Sequence, residues 1–543
     1  MSRKLIGLGV CPGVAFAPVI LIEKEESTQD KQVTFKEIET ALEKSAQYLE
    51  VKLSKIDLQV AKDVLEAQSM IARDPDLLEK IKDIMGDDLN SARQTLNKAF
   101  DIFKENLISL GGYFAERVSD LDEIKKLTIN NVLGIMHSSI ELNSEAIVVA
   151  DDLSPADTAS MNLKFVKGLI VARGGPTSHT AIVARNLGIP AIVGCQEALT
   201  LKTGEKVLVN GREGYVYQNP TNELINDEKK RESEYLEKFK SVLGPGKLKD
   251  GTVINLLANC GNSVDAKKAL ENGAEGIGLF RTELLYLNQK TPPTIDEQVE
   301  IYADIFKIFS GKKVIIRTID AGSDKPVPFL NSLKEENPAL GVRGWRLIRQ
   351  FPQVIHDQIK AIALAQEKTD CDVWVMAPMI DTKQEAQDFA QIARSNGIKK
   401  VGVMIETPSA AIISDQIFSV VDFASLGTND LTQYVMAADR LDSRLSDLTN
   451  SWNPAVLRMI ELIGKNRQTK PLGVCGEAGA DPLLAAVLIG LGVNSLSMAS
   501  NSIAEVKGFI ASLSLNKCQE VAQQIVKTTS ATEAKDLAKN LFS

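Results

Sequence analysis

The spacing of apolar positions changes period several times along this chain, and the changes divide it. Over residues 1–22, short apolar runs are cut by Gly7, Gly9, Pro12 and Gly13, which reads as strand, turn, strand. From about Thr34 to Lys126 the period becomes helical. Ile38, Leu42, Tyr48, Leu49 and Leu53 make one stripe, and Val64, Leu65, Met70, Leu77 and Leu78 continue it. Leu96, Phe100, Phe103 and Leu107 make another. Asp74-Pro75 marks a break between two helices, because proline disfavours helical backbone in the residue before it. Strand patterns return at 146–150, 168–172, 191–193 and 206–210, around a helix that opens at residue 179. Residues 1–22 and 144–225 are therefore expected to form one α/β domain, split by an all-helical insert over 23–143.

A highly charged helical segment follows, ended by Gly244-Pro245-Gly246, so residues 226–249 read as a linker and hinge. Beyond residue 250, strand and helix patterns alternate eight times. The strands fall at 253–259, 276–280, 313–318, 373–379, 400–405, 423–427, 471–475 and 495–498. Helical segments such as 296–309, 383–395 and 481–491 separate them. Eight successive β-then-α units predict a (β/α)8 barrel over 250–543. The fold class is thus multidomain α/β.

Composition narrows the class of molecule. A chain of 543 residues holds two or three domains, and its 44% apolar and 24% charged residues are ordinary for a globular protein. The net charge of −9 argues against general nucleic-acid binding and suits a partner with a basic face. Six scattered cysteines without a CxxC pair read as reduced thiols of a cytoplasmic protein, not a disulfide or zinc framework. Arg3-Lys4, the apolar run and Ala15-Phe16-Ala17 mimic a secretory signal, but the glycines and proline break the run. No apolar stretch approaches the ~18 residues that a membrane span needs.

Two places carry candidate chemistry. In Gly174-Gly-Pro-Thr-Ser-His179-Thr-Ala-Ile, one of only three histidines follows a glycine turn and two hydroxyl residues at the start of a helix. Helix N-termini present unpaired N–H groups and the positive end of the dipole, so a phosphoryl group on His179 would be stabilised there. The alternative is a histidine that merely caps the helix. His137 and His356 read as structural.

The second place is the set of strand C-terminal ends in the barrel, where active sites of this fold lie. They carry Asn259, Arg281, Arg317, Met379, Glu406, Asn429-Asp430, Cys475 and Met498. A lone charge at a strand end is usually a surface ion pair; arginines and carboxylates converging on one mouth imply an anionic ligand with a divalent cation. Arginine's planar fork suits phosphate and carboxylate, and Mg2+ takes one or two carboxylates plus substrate oxygens. Cys475 is open to two readings, a buried small apolar residue or an acid. Gly276-Ile-Gly278 lacks the spacing of a dinucleotide fingerprint.

The histidine loop resembles that of the enzymes exchanging phosphoryl groups with phosphoenolpyruvate (PEP). Leu8-Gly-Val-Cys-Pro-Gly-Val-Ala, Gly278-Leu-Phe-Arg-Thr-Glu, Asn337-Pro-Ala-Leu-Gly-Val-Arg343, Gly427-Thr-Asn-Asp-Leu-Thr-Gln-Tyr and Cys475-Gly-Glu occur in order. Across nearly its full length the chain resembles the enzyme I family, the PEP–protein phosphotransferases. The resemblance implies a swivelling phosphohistidine domain, an insert that binds the phosphocarrier HPr, and a PEP-binding barrel that forms a homodimer. It implies His179 as phosphoacceptor and Cys475 as the proton donor that releases pyruvate. Arg281, Arg317 and Arg343 would hold the phosphate, with Asn429, Arg440 and Lys325 as further substrate contacts. Glu406 and Asp430 would bind Mg2+, and Arg117 would face the phosphohistidine. Val342-Arg343-Gly344 departs from the Trp-Arg-Ala step of many members, and the insert matches only loosely. An ATP-dependent dikinase would need an ATP-binding domain, for which the chain shows no P-loop; a PEP-binding regulator would need a degenerate site, whereas the matched positions are intact.

Overall fold

A computed structural model describes the chain outside residues 1–2, 23–29, 54–58, 87–88, 111–117, 136–141, 143, 154–156, 158–160, 175–178, 241–243, 287–288, 290, 322–326, 331–334, 336, 441–444, 446 and 543. It divides into two compact units, Met1–Ser233 and Glu234–Ser543.

The first unit is built on an eight-stranded sheet. Its strands are β1 (Arg3–Ile6), β2 (Leu8–Cys11), β3 (Val14–Ile22), β6 (Ala146–Ala150), β7 (Val166–Val171), β8 (Ala191–Val193), β9 (Lys206–Asn210) and β10 (Tyr215–Gln218), with β4 (Gln32–Val33) and β5 (Asn90–Ser91) forming a separate pair. The order is β1-β10-β9-β3-β6-β7-β8-β2. β1 and β2, at opposite ends of that order, are consecutive in the chain and joined at Gly7. A Cβ at Gly7 would lie 2.6 Å from Ile192 Cγ2, so the crossing has room only for glycine. The short β10 escapes the sequence pattern; it is specified by antiparallel pairing with both β1 and β9. β6, β7 and β8 run parallel, and the helix His179–Leu187 is the crossover between the last two. Separate apolar clusters form around Val148, Val171 and Ala184, and around Val19, Ile147 and Ile192.

Between β3 and β6 the chain makes the helices Phe35–Leu53, Gln59–Ala72, Pro75–Met85, Ala92–Leu110 and Val118–Leu133, around a core of their own. The break at Asp74-Pro75 is present: Pro75 is the first helical residue, and the Asp74 carboxylate caps the helix by accepting from the Asp76 N–H. Ile38, Leu42, Leu49, Leu65 and Leu77 are buried as the stripe requires. Met70 is not; it is 70% exposed, five residues after Leu65 and so turned off the buried face.

The helix Asn222–Lys240 leads into the second unit, a closed barrel of eight parallel strands. They are β11 (Asn255–Cys260), β12 (Gly276–Arg281), β13 (Lys313–Arg317), β14 (Asp372–Ala377), β15 (Lys400–Ile405), β16 (Phe423–Leu426), β17 (Leu472–Val474) and β18 (Ser495–Met498). Each lies within two or three residues of its expected position. The helix Pro482–Gly490 is apolar on every side because the C-terminal helices Leu515–Ile525 and Ala531–Phe542 cover the face that the barrel leaves open. All six cysteines are unpaired and buried. No helix of the described residues is long and apolar enough to cross a membrane.

Candidate active site at the barrel mouth

Barrel strands alternate inward and outward side chains, so the last inward residues of successive strands meet at one mouth. β12 ends on Arg281, which is exposed, and β13 on Arg317, which is buried. Glu406 is the first residue beyond β15 and Cys475 the first beyond β17, both buried. Asn429 and Asp430 lie in the first turn of the helix Thr428–Met436 that follows β16, with Asn429 exposed and Asp430 buried. Arg343 stands in the long connection between β13 and β14 and has no exposed surface.

The charges are wired together. Arg317 pairs with Glu283 through one nitrogen and with Asp320 through the other, the latter at 3.0 Å. Arg343 grips both oxygens of Asp320 at 3.1 Å and donates to Asp430 at 3.0 Å. Arg440 reaches the second oxygen of Asp430 at 3.2 Å. Arg317 and Arg343 are thus held as rigid forks by carboxylates behind them, a bidentate geometry that lysine could not supply. Asp320 and Glu283 were not among the expected site residues. Glu283 closes the motif Gly278-Leu-Phe-Arg-Thr-Glu283 and Asp320 lies three residues beyond Arg317, so the signal was present.

Glu406 completes the set. One oxygen accepts the Met379 N–H at 2.7 Å; the other, Oε2, is buried and accepts no hydrogen bond among the described residues. Burial, then the charges of Asp430 and Asp320, push its carboxyl up to about 7, against the pull of Arg343 and Arg317. Among the described residues, Arg317, Arg343 and Arg440 face the four carboxylates of Glu283, Asp320, Asp430 and Glu406. An orphaned carboxylate oxygen beside Asp430 fits a divalent cation that takes few protein ligands and keeps its other positions for substrate and water.

Backbone features hold Glu406 in place. Met379 sits at φ 56°, a left-handed conformation costing about 1–2 kcal/mol, and aims its N–H at the carboxylate. Gly427 makes room: a Cβ there would lie 2.5 Å from Glu406 Oε2. Cys475 is enclosed by the strands, and burial pushes its thiol up to about 11, so it carries its proton at neutral pH.

In the first unit, His179 is the first residue of the helix His179–Leu187, at the end where parallel β7 delivers the chain. That is the carboxyl end of a parallel strand, where α/β sheets place ligands. The preceding residues 175–178, and the expected sites Arg117 and Lys325, lie outside the described residues. So does His137, whereas His356 stands exposed on the helix Pro352–Glu367.

An α/β unit with a histidine at a helix start, followed by a parallel barrel with arginines and carboxylates at its mouth, fits a phosphotransferase. Comparison with known proteins agrees. The chain matches the PEP-utilising enzyme PEP-binding domain over residues 235–515, the mobile domain over 142–214 and the N-terminal domain over 6–117. The chain belongs to the PEP-utilising enzymes and is a phosphotransferase. It is 40% identical over 490 residues, 89% of this chain and 88% of the relative, to the phosphoenolpyruvate-protein phosphotransferase of Streptomyces coelicolor. It is 34% identical over 571 residues, 99% of this chain and 100% of the relative, to that of Bacillus subtilis. A solution structure of Enzyme I (nEIt) matches 42% of this chain and 99% of its own at 31% identity, with a TM-score of 0.39.

Proposed function

We propose that this chain is a PEP–protein phosphotransferase that phosphorylates itself on His179 from PEP, releases pyruvate, and passes the phosphoryl group to a histidine of the carrier HPr. The observation that carries this reading is the buried mouth of Arg317, Arg343, Asp430 and Glu406, with Glu406 Oε2 left without a hydrogen bond among the described residues. Arg281, exposed at the rim, and the braced Arg317 and Arg343 supply the positive field for the phosphate and carboxylate of PEP, already oriented before substrate arrives. Asn429 and Arg440 flank the same helix start. Glu406 and Asp430 would hold Mg2+, which when bound neutralises charge on the transferring phosphoryl group.

Neutral His179 attacks phosphorus in line; its nitrogen–phosphorus bond forms as the bond to the enol oxygen breaks. The enolate carbon takes the proton of Cys475 Sγ, giving pyruvate and a thiolate. His179 belongs to the α/β domain of the first unit, so the reaction needs that domain to move between the barrel and a carrier docked on the helical insert. The helix Asn222–Lys240 and Gly244-Pro245-Gly246 join the two units and would carry that movement. Lys325 and Arg117 keep their assigned places near PEP and the phosphohistidine on this reading. The chain would work in the cytoplasm, dimerised through the barrel.

The test is intact mass under non-acidic conditions after incubation with PEP and Mg2+, wild type beside His179→Ala. One phosphoryl adduct on the wild type alone, lost on adding HPr, is expected. An adduct formed from ATP and not PEP, or none at all, overturns the reading.

A further inference from the structure

Interiors of (β/α)8 barrels are normally filled by layers of bulky branched side chains. This one is filled on one side only. Leu257, Ile315, Trp374 and Phe423 pack into the lumen, but the inward positions elsewhere on β16, β17 and β18 are Ser425, Gly473, Ser495 and Ser497. Between the bulky wall and the hydroxyl wall lies a cavity of ≈ 70 Å³. A water needs roughly 10–15 Å³ of such space and two to four polar partners, so several waters fit against the serines.

The cavity has two ends. At the strand N-termini it is lined by Asn255, Lys313, Pro471 and Asn494, all only half-buried, so it reaches solvent there. The Lys313 ammonium stands 4.0 Å from the centre of the Trp374 ring. At the other end Ser425, itself 2% exposed, stands beside the Cys475 thiol, which donates to the Leu426 carbonyl at 3.4 Å. The same end is braced by Ser497, whose hydroxyl donates to Asn259 Oδ1 at 2.6 Å, and by Asn259 Nδ2, which donates to the Cys475 carbonyl at 3.1 Å. Cys475 is only 3% exposed and has Met376 and Met404 in its apolar cluster. Met376 and Met404 close its apolar side, so the hydroxyl-lined side is its route to water.

We propose that the barrel lumen is a proton conduit, through which the Cys475 thiolate left by pyruvate formation is reprotonated by way of Ser425 Oγ and water held in the cavity. The inference rests on the reading of Cys475 as the acid. In the step, the thiolate takes the Ser425 hydroxyl proton while Ser425 Oγ takes one from the adjacent water. The deficit passes along the file to bulk water beyond Asn255 and Lys313, and no group of the protein changes charge except Cys475.

The experiment reads the label on the first pyruvate made. Enzyme equilibrated in H2O is diluted into D2O, aged for a variable delay, and mixed with PEP and Mg2+ for one turnover; the pyruvate methyl is then weighed. In the wild type the methyl gains deuterium at the shortest delays. In Ser495→Val, which plugs the cavity without touching Cys475, the first-turnover yield is unchanged and the thiol keeps its protium, its exchange slowed about tenfold or more. Ser425→Ala removes the inner link and is expected to slow exchange likewise. Exchange at the wild-type rate in both variants overturns the conduit, since the proton then enters from the mouth. Failure of the underlying reading looks different: no pyruvate from the wild type, or the same yield and label from Cys475→Ser.

Discussion

Glu406→Gln in the metal-free protein tests the electrostatics of the mouth most directly. A carboxyl that ionises near its ordinary 4.5 when unfolded and at about 7 when folded makes the folded state bind the extra proton between those values. Stability then falls as pH rises through that window and is flat above it, because the unfolded chain gives up its proton first. The gap, at about 1.4 kcal/mol per pH unit, is about 3 kcal/mol of strain carried by the charged form. Gln keeps the acceptor for the Met379 N–H and cannot ionise. The variant is therefore expected to exceed the wild type by about 1 kcal/mol at pH 5 and about 3 kcal/mol at pH 8. Urea unfolding in the presence of chelator, followed by tryptophan fluorescence, isolates the barrel, since Trp345, Trp374 and Trp452 all lie in the second unit. Equal stability at pH 8, or a difference that does not grow from pH 5, refutes the crowding of Glu406 by Asp430 and Asp320. With Mg2+ added, the wild type should recover and the variant should not.

Other perturbations read other parts of the site. Arg343→Leu strips a buried fork from Asp320 and Asp430 and should cost about 3–5 kcal/mol of barrel stability in the same unfolding assay; a cost below about 1 kcal/mol would show the pairing to be dispensable. Gly427→Ala drives a Cβ against Glu406 Oε2, so it should destabilise by about 1–3 kcal/mol and weaken Mg2+ binding in calorimetry. Unchanged Mg2+ affinity would free Glu406 from the ligand role. Cys475→Ser should slow pyruvate formation by about 10²-fold or more while PEP affinity measured by calorimetry stays close to wild type; an equal loss of both assigns Cys475 to binding.

How much of this was readable beforehand follows from the range over which each feature is specified. Alternation and helical spacing are local, so strand and helix order, the split of the first unit by a helical insert and the eight barrel repeats were legible. Knowing that barrel sites lie at strand ends then picked out Arg281, Arg317, Glu406 and Cys475. β10 was missed because four residues of Tyr-Val-Tyr-Gln carry little pattern of their own and depend on neighbours supplied by β1 and β9. Met70 was misplaced because apolar identity at roughly helical spacing does not say which way a given side chain turns.

By itself, then, the sequence determined the elements, their order and the residue types at the barrel mouth, because each depends on neighbours a few positions away. Only the closed barrel decided who pairs with whom. Arg343 meets Asp430 across a separation of 87 residues, and Glu406 is crowded by two carboxylates that no spacing rule connects to it. The lumen is the same kind of fact: a serine or glycine on β16, β17 or β18 means little alone. Strand closure brings them to one wall opposite Trp374 and Phe423, and the space that wall leaves exists only once the ring is complete.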